Sequence, residues 1–252
     1  MSQIVFISGA TSGIGKATAE LLAEHQYKLI LAGRRTERLA ALKRELGAKT
    51  AVNTLEFDIR DRAALEHALN SLSEEWKSVD ILINNAGNAH GLDPIDSGHV
   101  DDWDAMIDIN VKGLLYLSNA IIPGMVARGR GHVVNIGSIA GKEVYPKGNV
   151  YCASKHAVDA INNGMRMDLF DKGVKVSAIN PGLVETEFSD VRFKGDTDRA
   201  QSVYKGYTPL KPQDIAEIIH FTITRPWHVN VSDTIVLPTD QASSTMVNKH
   251  LT

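Results

Sequence analysis

The chain predicts an α/β fold, a parallel sheet buried between two layers of helices. Three observations carry that expectation. Short apolar runs alternate with longer amphipathic ones along the whole sequence. The short runs are apolar throughout, as strands covered on both faces must be. The first run also passes straight into a glycine-rich turn that opens a helix.

Ile4-Val5-Phe6-Ile7 make residues 3–8 the first strand, and residues 14–25 behind the turn form the first helix. Leu29-Ile30-Leu31 put a second strand at 28–32, and the amphipathic run 36–46 is a helix stopped by Gly47. A third strand follows at 51–57, then a helix at 62–72 and a fourth strand at 81–84. Residues 100–128 form one long helix and 132–136 the fifth strand. The Ala-containing run 151–171 is a helix stopped by Gly173, followed by a strand at 174–179. Pro212 opens a helix at 213–224, and 234–237 is the last strand. Residues 187–212 are polar, charged and weakly periodic, which suits a loop or short helices over a binding site. No linker or repeat is visible, so 1–252 is taken as one domain with a tail at 238–252.

Composition narrows the function. With 43% hydrophobic and 23% charged residues the chain is neither disordered nor fibrous. A net charge of −3 provides no broad cationic field for nucleic acid. Cys152 is the single cysteine, so there is neither a disulfide framework nor a thiolate zinc site. The nine histidines lack metal-ligand spacing, and no metal is expected. No signal peptide or membrane-spanning apolar run is visible, which points to a soluble cytoplasmic protein.

Tyr151 and Lys155 are four apart, on one face of a helix. An ammonium beside a phenol favours the phenolate and draws its pKa from about 10 toward neutrality, the property of a general acid/base. The turn Ser8-Gly9-Ala10-Thr11-Ser12-Gly13-Ile14-Gly15 has the spacing G-x-x-x-G-x-G. Its backbone N–H groups and helix N-terminus suit a pyrophosphate. After the second strand, Arg34 and Arg35 stand where a carboxylate would select NAD, so the sequence favours NADP(H). Asp58 is a candidate acceptor for the adenine amino group or a cap for the helix near Asp61. Asn84-Asn85-Ala86-Gly87 ends the fourth strand on the ligand-binding edge.

In order and spacing, these motifs together with Asn110, Ser138 and Pro181-Gly182 resemble the short-chain dehydrogenase/reductase family over essentially the whole chain. The resemblance implies a doubly wound, Rossmann-type sheet of about seven strands and NAD(P)-linked interconversion of alcohols and carbonyls. Carried over, Ser138 would hold the substrate oxygen and Tyr151 would be the acid/base. Lys155 would depress the Tyr151 pKa and contact the nicotinamide ribose. Asn110 would hold a water linking Lys155 to solvent, and Thr186 would bond the carboxamide. Gly9, Thr11, Ser12, Gly13, Ile14, Gly15, Asn85, Ala86, Gly87, Pro181, Gly182 and Val184 would complete the cofactor site.

The segment from Phe188 to Asp196, with Trp103–Asp108 and His228-Val229-Asn230, resembles the NADP-dependent 3-hydroxy acid dehydrogenase branch. That branch acts on serine-type 3-hydroxy acids and semialdehydes, and its relatives reduce sulfoacetaldehyde to isethionate. Arg192, with Lys194, is the candidate partner for the substrate anion. A broad carbonyl reductase and a non-catalytic NADP-binding sensor are the competing readings. His90 is expected to be a solvated loop residue, His156 to point away from Lys155, and Cys152 to be a packed thiol. Family helices corresponding to 100–128 and 151–171 pair between subunits, which implies a homotetramer or homodimer. Gln241 and Met246 in the tail are candidates to cover a neighbouring subunit.

Overall fold

The computed structural model describes residues 2–250; Met1, Leu251 and Thr252 lie outside the described residues, including the end of the tail. Seven strands form one sheet in the order β3-β2-β1-β4-β5-β6-β7, every neighbouring pair parallel. They are β1 (Ile4–Ser8), β2 (Lys28–Gly33), β3 (Val52–Glu56), β4 (Ile81–Asn84), β5 (Gly131–Ile136), β6 (Val174–Pro181) and β7 (Asp233–Val236). The order reverses between β1 and β4, so the chain leaves these neighbours in opposite directions and opens a crevice at their C-terminal ends.

Alternate residues of each strand feed two cores. One face packs Val5, Ile7, Leu29 and Leu31 against α1 (Gly13–Glu24), α2 (Thr36–Leu46) and, through Ile215, Ile219 and Ile223, α10 (Pro212–Ile223). The other packs Phe6, Leu82, Val133 and Val176 against α3 (Arg62–Asn70), α6 (Leu114–Ala127) and the end of α7 (Asn149–Leu169). Burying each large aliphatic or aromatic side chain contributes about 1.5–3 kcal/mol. A short α4 (Glu74–Lys77) sits in the loop before β4.

The long helix expected at 100–128 is interrupted. It runs as α5 (Val100–Ile107), a π turn over Asp108–Gly113, and then α6. The π turn lets the chain press against the end of β3, where a Cβ on Gly113 would lie 2.8 Å from Ile59 Cγ2, and it turns Asn110 inward. Within the 28 residues Val100–Ala127 one stretch is long and apolar enough on average to cross a membrane, but Asp108, Asn110 and Lys112 interrupt the segment, so it is not an unbroken apolar run. Its stripe Leu114, Leu117, Ile121 and Met125 is spent on the sheet.

α7 begins at Asn149, two residues earlier than expected, and ends at Leu169. Gly173 is therefore no helix cap; at φ 70° it makes the turn into β6. The segment after β6 holds two short helices, α8 (Phe188–Arg192) and α9 (Thr197–Ser202), of which α8 lines the crevice.

Candidate active site

The turn after β1 is shaped by two left-handed glycines, Gly9 (φ 65°) and Gly13 (φ 51°). Asn85 pins it to the end of β4, donating from Nδ2 to the carbonyls of Ser8 (2.9 Å) and Gly9 (3.2 Å). Gly15 lies off the cleft wall and serves this packing, since a Cβ there would come within 2.5 Å of Asn85 Nδ2. Ser12 makes no side-chain cap, and the first turn of α1 carries no acid. The unpaired N–H groups and positive dipole end there fit a pyrophosphate. Thr11, Ser12, Ile14, Ala86 and Gly87 line the same cleft, as do Pro181, Gly182, Val184 and Thr186 after β6. Thr186 Oγ1 accepts the Phe188 N–H at 3.1 Å, which leaves its hydroxyl proton for another acceptor.

Arg34 and Arg35 stand at the mouth of this cleft. Arg34 Nη1 is 3.4 Å from Asp58 Oδ2, and Arg35 Nη1 is 2.8 Å from Glu187 Oε2. Glu187 also takes Arg38 at 2.8 Å, so one carboxylate at the root of the lid ties two guanidiniums of the opposite wall. Arg38 and Glu187 were not among the expected residues; the i, i+3 spacing of Arg35 and Arg38 was the available signal. Asp58 accepts the Arg60 N–H at 3.0 Å but does not cap the helix, because Asp61 itself accepts the Ala64 N–H at 3.0 Å. Burial raises the Asp58 carboxyl, but the Arg60 side chain and N–H and the Arg34 charge hold it at about 2.

At the other end of the cleft, α7 presents Tyr151 and Lys155 on one face, both buried. Ser138 faces them from the loop after β5, its Oγ fixed by the Ala140 N–H at 3.1 Å. Lys155 Nζ donates to the Ile136 carbonyl at 3.0 Å, and burial lowers its pKa to about 8. Tyr151 departs from expectation. Burial and then Tyr145 push its phenol above the ordinary range, while Ser138 and Arg192 pull it down; Lys155 is not among the groups that move it most. The ammonium is directed instead toward Ile136 and the space over Gly87. A Cβ on Gly87 would lie 3.5 Å from Lys155 Nζ and 3.1 Å from Asn110 Oδ1. Asn110 Oδ1 accepts the Asn88 N–H at 2.9 Å, and Nδ2 donates to Asn88 O (2.9 Å) and Ser154 Oγ (3.0 Å). A water relay through this amide has one remaining Oδ1 lone pair to work with.

Arg192 reaches the cleft from α8. Its carbonyl accepts the Gly91 N–H at 2.9 Å, and its Nε donates back to the Gly91 carbonyl at 3.2 Å. The guanidinium carbon lies 5.5 Å from the Tyr145 ring centre and 5.6 Å from that of Tyr151. Nη2 is buried with no partner among the described residues. Lys194 does not join it: its ammonium pairs with Asp102 at 2.9 Å, outside the cleft. His90 is half-buried and lines a small cavity behind Arg192, not a solvated loop; burial lowers its pKa. His156 bonds the Cys152 carbonyl at 2.9 Å, while Cys152 is buried and its thiol pushed up by that burial.

The tail covers its own subunit. Gln241 Oε1 accepts the Leu183 N–H at 2.9 Å and lines the cleft with Ser244, and the His250 N–H reaches Gly206 O at 2.7 Å. Met246 is exposed. Tyr145, Phe188 and Gln241 thus join a cleft of about 480 Å³, and no sequence motif marked Tyr145.

The sequence profile described as short chain dehydrogenase matches residues 3–196. The chain belongs to this family. It is 47% identical over 240 residues, 95% of its length and 96% of the relative's, to the NADP-dependent 3-hydroxy acid dehydrogenase YdfG of Salmonella typhi. Sulfoacetaldehyde reductase 2 of Chromohalobacter salexigens is 43% identical over 245 residues, 97% of each chain. Among solved structures, the closed form of serine dehydrogenase complexed with NADP+ superposes with a TM-score of 0.93 at 44% identity, covering 99% of this chain and 100% of that one. The fold, the oxidoreductase family and the branch that the lid segment resembles all agree with the sequence reading.

Proposed function

We propose that the protein is an NADP(H)-dependent oxidoreductase that interconverts small 3-hydroxy acids and their semialdehydes. The observation that carries the substrate class is Arg192. Its guanidinium is held by Gly91 beside the Tyr151 ring, with a buried Nη2 that has no acceptor among the described residues. A buried unpaired donor is costly, and a substrate carboxylate would satisfy it with a charge-assisted bond. NADP(H) is supported by Arg34, Arg35 and Arg38 at the adenosine end and by the relatives' names. The 43% identical sulfoacetaldehyde reductase supports a second reading, since a sulfonate would satisfy the same guanidinium.

In reduction, Ser138 Oγ bonds the carbonyl oxygen and Tyr151 Oη delivers the proton to it; in oxidation the proton returns along the same path. When bound, the nicotinamide supplies or accepts the hydride at the reacting carbon. Lys155, held between the Ile136 carbonyl and Gly87, would bond the nicotinamide ribose and offers a proton route past Asn110. Phe188, edge-on to Tyr151 at 5.6 Å, helps exclude water. The exposed Leu115, Met167 and Phe170 on α6, α7 and its cap support a homotetramer or homodimer joined through those helices.

The test is NADPH consumption with malonic semialdehyde, sulfoacetaldehyde and propionaldehyde, repeated with NADH. Highest kcat/KM for an acidic aldehyde with NADPH is expected. NADPH binding without turnover of any aldehyde would replace this reading by a cofactor sensor, and preference for propionaldehyde by a broad carbonyl reductase.

A further inference from the structure

At the opposite end of the sheet from the active site lies a second cavity of about 330 Å³, between the starts of β4, β5 and β6 and the end of α10. Three cations line it, Arg130, Lys175 and Arg225, and among the described residues none of them pairs with a carboxylate. The acid in its wall, Asp80, gives Oδ2 to the Ile4 N–H at 2.8 Å. Lys175 is 8% exposed, and its ammonium has one protein acceptor, Val229 O at 3.0 Å. Burial and then the Arg130 charge both lower its pKa, so the ammonium sits where positive charge is disfavoured. The Trp227 ring faces both cations, 4.5 Å from the Arg130 guanidinium and 5.5 Å from the Lys175 ammonium, and offsets part of this.

His132, paired with Lys175 in register across β5 and β6, adds a specific demand. Asn230 spends its Nδ2 on Val176 O (3.1 Å), so its Oδ1 receives the Ser177 hydroxyl proton (3.2 Å). Ser177 Oγ must then accept from His132 Nε2–H at 2.8 Å. That fixes the neutral tautomer with its bare lone pair on Nδ1, a buried atom with no partner. Burial, with Lys175 nearby, holds this imidazole neutral, its pKa down to about 3. The cavity is therefore lined by cationic donors, and the His132 side chain in its wall holds one buried acceptor without a partner.

We infer that this cavity binds free inorganic phosphate: its bare oxygens meet Arg130, Lys175 and Arg225, and its P–OH donates to His132 Nδ1. Phosphate near neutral pH carries both kinds of oxygen, whereas sulfate carries no proton to give. The site is about 15 Å from the catalytic edge by the rise of the strands, so its occupancy is separable from cofactor binding.

The test is calorimetric titration of the enzyme, saturated with NADPH so that Arg34 and Arg35 are engaged, with inorganic phosphate at constant ionic strength. Saturable binding is expected, weakened about tenfold or more by Arg130→Gln or Lys175→Met. Sulfate is expected to bind at least about tenfold more weakly than phosphate, since it leaves His132 Nδ1 unsatisfied. A phosphate-dependent change in tryptophan fluorescence that disappears in Trp227→Phe would localise the event. Arg130 is exposed, so its replacement leaves the core intact, and unchanged NADPH-dependent turnover in both variants reports folding. Absence of saturable heat, equal affinity for sulfate, or unaltered phosphate affinity in both variants would each overturn the assignment.

Discussion

Replacing Arg192 by Gln tests the substrate site most directly. The side chain stays polar but is shorter and loses the charge and the fork. In the structure the guanidinium has one protein acceptor, the Gly91 carbonyl at 3.2 Å, and a buried Nη2 with no partner among the described residues. A charge-assisted hydrogen bond to a substrate anion at this point is worth about 1.5–3 kcal/mol, which converts to roughly a ten- to 150-fold fall in kcat/KM. The expected loss is confined to acidic aldehydes; propionaldehyde should change by no more than about threefold, the size of a modest packing effect. The assay is initial-rate NADPH oxidation over a range of each aldehyde. Arg192→Lys should recover part of the loss, because it restores charge without bidentate geometry. An equal fall for propionaldehyde and malonic semialdehyde would show that Arg192 merely holds Tyr151 and the lid in place, and the anion site would be wrong.

Two further outcomes follow from the same cleft. Glu187→Gln frees Arg35 and Arg38 from the lid root, so KM for NADPH should fall while KM for NADH stays put. The pairs are exposed, about 1 kcal/mol at most, so the effect should not exceed roughly fivefold; a rise in KM for NADPH would mean the carboxylate positions the arginines instead of competing for them. Lys155 loses its charge as pH rises through about 8, so kcat/KM for reduction should fall on the alkaline side with a midpoint near there. A profile flat to pH 10, about two units past that midpoint, would remove the ammonium from the reaction.

The fold was legible because strand and helix patterns are local and repeated. Every expected strand is present within one or two residues, since runs such as Leu29-Ile30-Leu31 can be buried in only one way between two helical layers. The π turn at Asp108–Gly113 was not legible. It depends on the contact of Gly113 with Ile59, which lies far away in sequence. The cleft divides similarly. The glycines after β1 and the four-residue spacing on α7 announce themselves, but Glu187 meets Arg35 and Arg38 only across a folded cleft. Lys194 stood beside Arg192 in the sequence as a second, weaker candidate for the substrate anion. What separates them is Asp102, which captures one charge and not the other.

The largest departure concerns how Tyr151 is tuned. The spacing of Tyr151 and Lys155 suggested that the ammonium lowers the phenol pKa, yet burial raises it, and Ser138 and Arg192 are the groups that oppose burial. If Arg192 takes the substrate anion, substrate binding and proton transfer are coupled through one guanidinium. A bound carboxylate neutralises the charge that favours phenolate, so the phenol pKa rises further and Tyr151 stays protonated. That state is the acid needed to reduce a semialdehyde. The same coupling hinders the oxidation of hydroxy acids, which needs phenolate. The pH–rate profile for oxidation should therefore have its rising limb at higher pH with 3-hydroxypropionate than with a neutral alcohol such as 1-propanol, and the difference should vanish in Arg192→Gln. Coincident limbs in the wild-type enzyme would show that the substrate charge does not reach Tyr151 through Arg192.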